Sequence, residues 1–73
     1  MIEVRLFAGL RQGRQKNYFM EPDSVNNVQD IMDVLIIQRS EVNILLINGF
    51  HQKPETEVKD GDVVSLFPAV GGG

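Results

Sequence analysis

The chain ends in three consecutive glycines, Gly71, Gly72 and Gly73, and these residues are the clearest candidates for chemistry in the sequence. Glycine has no Cβ and accepts φ angles of either sign, so a glycine segment passes easily through a narrow enzyme channel. The terminal α-carboxylate is anionic at neutral pH, because its reference pKa is about 3.5. A carboxylate is a poor electrophile and must be activated before it accepts a nucleophile, most simply as an acyl-adenylate. A frayed end or a linker remnant would explain the same three glycines without any chemistry.

The rest of the sequence offers no machinery for that activation. Neither glycine pattern of the nucleotide-binding loops, G-x-x-x-x-G-K-[ST] or G-x-G-x-x-G, occurs in the chain. The only histidine, His51, lies in a predicted turn, and no cluster of His, Asp and Glu has the spacing of metal ligands. We therefore expect no bound cofactor, no metal site and no catalytic activity by the chain alone. A partner enzyme would have to supply the ATP.

Composition restricts the class of protein. The 73 residues allow one small domain, and a hydrophobic content of 42% is typical of a globular chain. The net charge of -3 disfavours nucleic acid, and the basic residues Arg5, Arg11, Arg14 and Lys16 are expected to form an ordinary solvated surface. There is no cysteine, and no stretch approaches the ~20 apolar residues of a membrane span. We expect a cytoplasmic protein without a signal peptide that binds neither nucleic acid nor membrane.

The hydrophobic pattern predicts one helix and four to five strands. Strands are predicted over residues 1–7, 17–21, 43–48, 50–53 and 62–67, the first and the last with period-two alternation, and a helix runs from an N-cap at Ser24 to residues 35–37. The apolar stripe of this helix consists of Val25, Val28, Ile31, Met32 and Leu35. This order predicts an α+β fold of the β-grasp type, a mixed sheet with one main helix on one face and the first and last strands adjacent at its centre. Residues 1–67 form the predicted domain, and residues 68–73 form a flexible C-terminal tail.

Two aromatic residues are expected on the face of the sheet that the helix leaves open. In the first strand Glu3, Arg5 and Phe7 alternate with the apolar residues, and Phe67 has the same position at the end of the last strand. The run 44–47 is apolar on both faces, which predicts that both are covered, and one of its faces would join the two aromatic residues. A contiguous aromatic patch beside the origin of the tail is typical of a partner-binding surface.

Three segments of the chain carry a family resemblance. They are V-R-L-F-A-G-L-R at residues 4–11, L-I-N-G at residues 46–49, and K-D-G-D-V-V-S-L-F-P-A-V-G-G-G at residues 59–73. These segments resemble the small sulfur carriers, a ubiquitin-like family that includes the small subunit of molybdopterin synthase and the sulfur carrier of thiamine biosynthesis. The opening segment and the Phe67-Pro68 step are more similar to the molybdopterin side of the family.

The resemblance implies a ubiquitin-like β-grasp fold and a cycle of sulfur transfer. A ubiquitin-activating-type enzyme would adenylate Gly73, and a sulfur donor such as a cysteine desulfurase or a rhodanese would convert it to a thiocarboxylate. The tail would then enter a larger synthase subunit and give its sulfur to a precursor of molybdopterin or the related tungsten cofactor. The implied partner contacts are Phe7, Phe67, Pro68, Val70, Gly71 and Gly72.

Two positions depart from the family pattern. The family often has glycine where Ile36 stands, so the helix is expected to run longer or to stop differently. It also often has a second proline where Ala69 stands, which loosens the tail slightly. Three alternatives stay open: a sulfur carrier for the thiazole of thiamine, a protein modifier whose Gly73 forms an isopeptide bond with a lysine, and a binding module with an inert tail.

Overall fold

A computed structural model describes residues 1–69 of the chain, and the fold is given for these residues. The strands are β1 (Ile2–Leu6), β2 (Asn17–Met20), β3 (Val42–Ile47), β4 (Phe50–His51) and β5 (Val63–Pro68), and the α-helix α1 spans Val28–Leu35. Short 3-10 helices lie at Ala8–Arg11, Pro22–Ser24 and Arg39–Glu41. All of the predicted strands are present, with bounds that differ by one or two residues.

The five strands form one mixed sheet in the order β2-β1-β5-β3-β4. The central strands β1 and β5 are parallel, and each of the other neighbouring pairs is antiparallel. Helix α1 packs across one face of this sheet, so the structure confirms the predicted α+β β-grasp fold with the first and last strands side by side.

The hydrophobic core lies between the sheet and the helix. In β1 the alternating side chains are fully buried, and Val4 and Leu6 lie opposite Val64 and Leu66 of β5. Helix α1 contributes the face predicted from its apolar stripe, on which Leu35 is only partly buried. The buried hydrophobic residues are Ile2, Val4, Leu6, Leu10, Val25, Val28, Ile31, Met32, Ile37, Leu45, Ile47, Val58, Val64 and Leu66.

The helix begins three residues later than the sequence predicted. Asn27, and not Ser24, is the N-cap: its side chain accepts a hydrogen bond of 2.9 Å from the backbone N–H of Asp30. The Ser24 hydroxyl instead donates to the carbonyl of Glu21 at the end of a 3-10 turn. The reason is tertiary, because Val25 is extended and buried in the core, so the helix cannot start before it.

The helix ends at an isoleucine in the left-handed conformation. Ile36 has φ 56° and ψ 50°, the geometry that glycine usually supplies after a helix, and its side chain is 82% exposed. The guanidinium of Arg14 donates to the carbonyl of Leu35 at 3.1 Å and to that of Ile36 at 2.8 Å. The expectation that the helix would run longer or stop differently is therefore wrong: it stops where a glycine would stop it, and Arg14, distant in the sequence, binds its free carbonyl groups.

A tight turn joins β3 to β4 at the dipeptide that the sequence indicated. Asn48 and Gly49 both have positive φ angles, 53° and 86°, as a two-residue hairpin turn requires. The Asn48 side chain also accepts a hydrogen bond from the Val63 N–H and donates one to the carboxylate of Asp62. The turn is thereby fastened to the beginning of β5.

Candidate functional site

The described chain leaves the sheet at one end of β5. Pro68, the first residue of the predicted tail, is still part of this strand and lies opposite Val42 of β3. The next residue, Ala69, donates its backbone N–H to the carbonyl of Glu41 at 3.3 Å. The predicted reactive residue Gly73 and the predicted partner contacts Val70, Gly71 and Gly72 lie outside the described residues.

An aromatic pair lies beside this exit. The rings of Phe7 and Phe67 are stacked, with centroids 4.2 Å apart and planes inclined by 11°. The parallel register of β1 and β5 brings them together, since Leu6 lies opposite Leu66 and the Phe7 N–H donates to the Leu66 carbonyl at 3.2 Å. Both rings are half-buried on the face away from the helix, as the alternation predicted.

The aromatic pair continues onto β3. Ile44 lies opposite Phe67 in the antiparallel register and is 36% exposed, and Leu46 lies opposite Ser65 on the same face. The expectation that β3 is covered on both faces is wrong within residues 1–69, because only Leu45 and Ile47, on the helix side, are buried. We call the apolar surface formed by Phe7, Phe67, Ile44 and Leu46 the outer patch.

Two arginines border the outer patch, and the sequence had assigned both to an ordinary solvated surface. The Arg11 guanidinium carbon lies 5.5 Å from the centroid of the Phe7 ring, and its Nε donates to the Leu6 carbonyl at 2.8 Å. Arg5 lies in β1, two residues before Phe7 on the same face, and donates to both carboxylate oxygens of Glu3. The alternation of β1 already placed Arg5 beside Phe7 and was the signal that could have identified it.

The arginine and the carboxylate of this pair shift one another's titration. The hydrogen bond from Arg5 lowers the pKa of the Glu3 carboxyl, and the pKa of the Arg5 guanidinium is raised by the same contact. The Asn17 side chain donates a further hydrogen bond of 2.7 Å to Glu3. The three side chains form a polar network next to the outer patch.

The other possibilities considered from the sequence were His51 and a metal site. His51 lies in β4 and is exposed, and residues 1–69 contain no group of three His, Cys, Asp or Glu side chains that could hold a metal ion. In the same part of the chain, no helix is long and apolar enough to cross a membrane. Among the site residues predicted from the sequence, the structure brings together those of the outer patch and the adjoining end of β5, namely Phe7, Phe67 and Pro68.

The fold and this site define a ubiquitin-like β-grasp protein with an aromatic patch at the origin of its C-terminal segment. The profile of the ThiS family matches residues 4–73. The chain thus belongs to the ThiS family. A search of curated proteins found no match.

Three solved structures are similar to this chain in sequence and in fold. SAMP1 from Haloferax volcanii is 25% identical, with a TM-score of 0.75 and coverage of 99% of this chain and 98% of that one. The HVO 2177 protein from the same organism is 31% identical, with a TM-score of 0.72 and coverage of 99% and 85%. A chain in the complex of subunits 1 and 2 of molybdopterin-converting factor from Helicobacter pylori is 27% identical, with a TM-score of 0.65 and coverage of 99% and 97%.

Proposed function

We propose that the protein carries sulfur on its C-terminal glycine for the biosynthesis of molybdopterin or the related tungsten cofactor. One observation supports this most strongly: β5 ends beside the stacked Phe7–Phe67 pair, so a partner that binds the outer patch is next to the origin of the glycine segment. The likeness to a chain of the molybdopterin-converting factor complex favours this pathway.

The chemistry takes place at Gly73. Its carboxylate attacks the α-phosphate of an ATP bound by an activating enzyme, pyrophosphate leaves, and an acyl-adenylate forms. The persulfide of a sulfur donor, such as a cysteine desulfurase or a rhodanese, then attacks the carbonyl carbon and displaces AMP, which gives an acyl disulfide. A second thiol of the donor attacks the donor's own sulfur in this disulfide, so that the thiocarboxylate leaves and the donor is left with a disulfide bond. The chain itself needs no bound cofactor for these steps, because both partners supply the reagents.

The folded body presents the tail to its partners. The outer patch offers the apolar area for docking, first to the adenylating enzyme and then to a larger synthase subunit. The contacts nearest to the tail are Phe7, Phe67 and Pro68. Val70 has a small side chain and the two glycines after it have none, so this segment can follow Gly73 into an active site. Partner binding thus takes place at the outer patch, and the reaction takes place at the end of the tail.

A second candidate function has its own support. The likeness to SAMP1, a small archaeal modifier protein, favours a modifier whose Gly73 is transferred to the lysine of another protein. Both functions begin with the same adenylation. They differ in the nucleophile that takes the activated carbonyl.

Mass spectrometry of the protein purified from its own cells separates these functions. A carrier shows a C-terminus in which sulfur replaces one oxygen, whereas a modifier shows covalent adducts to lysines of other proteins. We expect deletion of Gly73 to abolish adenylation by the activating enzyme of the same organism and to leave the thermal transition unchanged. An intact chain that is never adenylated by that enzyme would overturn the proposal.

When the sulfur-loaded protein is available, the pathway can be tested with purified synthases. Transfer of sulfur to a pterin precursor supports the molybdopterin assignment. Transfer to the thiazole of thiamine instead would correct the pathway and keep the carrier function.

A further inference from the structure

Arg5 occupies a central position on the face that carries the outer patch. It lies opposite Ser65 of β5, and Ser65 in turn lies opposite Leu46 of the patch on β3. Along β1 it precedes Phe7 by two residues, a separation of about 7 Å between equivalent atoms. A partner surface that extends by this distance from the Phe7–Phe67 pair along β1 therefore also covers Arg5.

The guanidinium of Arg5 is held in place and only partly used. Its Nε donates to one oxygen of Glu3 at 2.8 Å and its Nη2 to the other at 3.4 Å. The Asn17 side chain fixes the same carboxylate through a hydrogen bond of 2.7 Å. Of the five guanidinium N–H groups, these contacts leave three that have no acceptor among residues 1–69 and are available to a partner.

Docking changes the surroundings of these three donors. The Arg5 side chain is 49% exposed, so water binds its free N–H groups in the isolated protein. A partner surface that removed this water without offering an acceptor would leave buried, unsatisfied charge, which is strongly unfavourable. A partner carboxylate would instead form charge-assisted hydrogen bonds with a guanidinium that is already oriented.

We propose that Arg5 is a specificity-determining residue of the docking face and that it binds a carboxylate of the adenylating enzyme. The inference rests on the proposed function. The adenylating enzyme is the partner that both the sulfur-carrier and the modifier function require, so the identity of the final acceptor does not affect the test. Arg5 does not reach the reacting carbonyl and acts on binding alone.

The test measures adenylation of the carrier by the activating enzyme of the same organism, with KM for the carrier and kcat obtained separately. Arg5→Gln removes the charge, and we expect KM to rise roughly ten-fold at low salt with kcat unchanged. We also expect the KM of this variant to depend less on salt than that of the wild type, because one screened attraction is gone. Unfolding curves establish that each variant is folded.

Two further variants separate partner binding from a merely structural ion pair. Arg39→Gln is the matched control, since Arg39 also forms an exposed ion pair, with Glu55, and donates to Gln29 of α1, on the opposite side of the sheet from the outer patch. Its KM should equal that of the wild type. Glu3→Gln breaks the same ion pair as Arg5→Gln but leaves the arginine free for the partner. We expect its KM to stay the same or to fall.

The outcomes are distinguishable. An unchanged KM for Arg5→Gln, or equal increases for Arg5→Gln and Glu3→Gln, would overturn this inference and leave the sulfur-carrier proposal standing. Failure of the enzyme to adenylate the wild-type chain would overturn the proposed function, and this inference with it. If Arg5→Gln does not fold, a rise in KM for Glu3→Gln is sufficient to reject the inference.

Discussion

At the scale of single residues, Ile36 has a backbone conformation that its side chain disfavours. A left-handed conformation costs an L-residue roughly 1–2 kcal/mol relative to glycine, and a β-branched side chain is especially poorly suited to it. Its side chain is largely exposed and contributes nothing to the buried core. The conformation is maintained by the chain on either side, where the helix stops and Ile37 enters the core.

We therefore expect Ile36→Gly to raise the free energy of unfolding by roughly 0.5–1 kcal/mol, after allowing for the greater freedom of glycine in the unfolded chain. Urea denaturation measures this change. Val34→Gly is the matched control, because Val34 is an exposed β-branched residue inside α1, where glycine should destabilise by about 0.5 kcal/mol. Destabilisation by both substitutions would show that the conformation of Ile36 carries no strain.

At the scale of elements, the start of α1 depends on one side chain and on the loop before β5, which is far from the helix along the chain. Asn27 caps the Asp30 N–H, while the carbonyl groups of Thr56 and Pro54 accept hydrogen bonds from Val28 and Gln29. Three of the free N–H groups at the helix N-terminus are thus satisfied. The loop that precedes β5 and the helix consequently stabilise one another.

Asn27→Ala should lower the free energy of unfolding by about 1 kcal/mol, the usual effect of removing a helix N-cap. Ser24→Ala, the residue that the sequence had identified as the cap, should change it by less than about 0.5 kcal/mol because the Ser24 hydroxyl is exposed. Thermal unfolding followed by circular dichroism compares the two variants. A larger loss for Ser24→Ala would contradict the assignment of the cap.

Element positions were predictable where the signal is local. Period-two alternation identified β1 and β5, and the Asn48-Gly49 dipeptide identified the hairpin between β3 and β4. The extra residue of β5, Pro68, was not predictable. It pairs with Val42 across a register shift between Val42 and Ile44, and such a shift depends on the whole sheet. The same holds for the helix cap, which is displaced by burial of Val25.

The candidate site was predictable to a similar extent. Alternation placed Phe7 and Phe67 on one face, and parallel pairing of the first and last strands brought their rings into contact. The contacts of Arg5 and Arg11 were missed, since composition alone does not distinguish a paired guanidinium from a solvated one. The role of Arg14 at the helix end was missed because the carbonyl groups of Leu35 and Ile36 are more than 20 residues away along the chain.

At the scale of the whole molecule, exposed ion pairs contribute to the response of stability to acid. Hydrogen bonds from Arg5 and Arg39 lower the pKa of the Glu3 and Glu55 carboxyls, and the contact with the Met1 ammonium lowers that of Asp60. A carboxyl with a lowered folded-state pKa contributes stability that is fully present above its unfolded-state pKa. This contribution is lost as the pH falls through the folded-state pKa.

We expect the free energy of unfolding to be constant from neutral pH to about pH 5 and to fall below it. Each pair is exposed, so the decrease per pair should be small and should diminish in high salt. Urea denaturation at several pH values measures it, and the double variant Glu3→Gln, Glu55→Gln should show a shallower acid decrease than the wild type. An identical decrease in the double variant would assign the effect to other carboxyl groups.

The hydrogen bond between Ala69 and Glu41 also limits how far Gly73 can reach from the folded domain. Four residues follow Ala69, and four extended residues span at most about 14 Å. While that bond is intact, the carbonyl carbon of Gly73 cannot lie farther than this from Ala69. Under the proposed function, a partner that leaves this hydrogen bond intact must therefore place its reacting group within about 14 Å of Ala69.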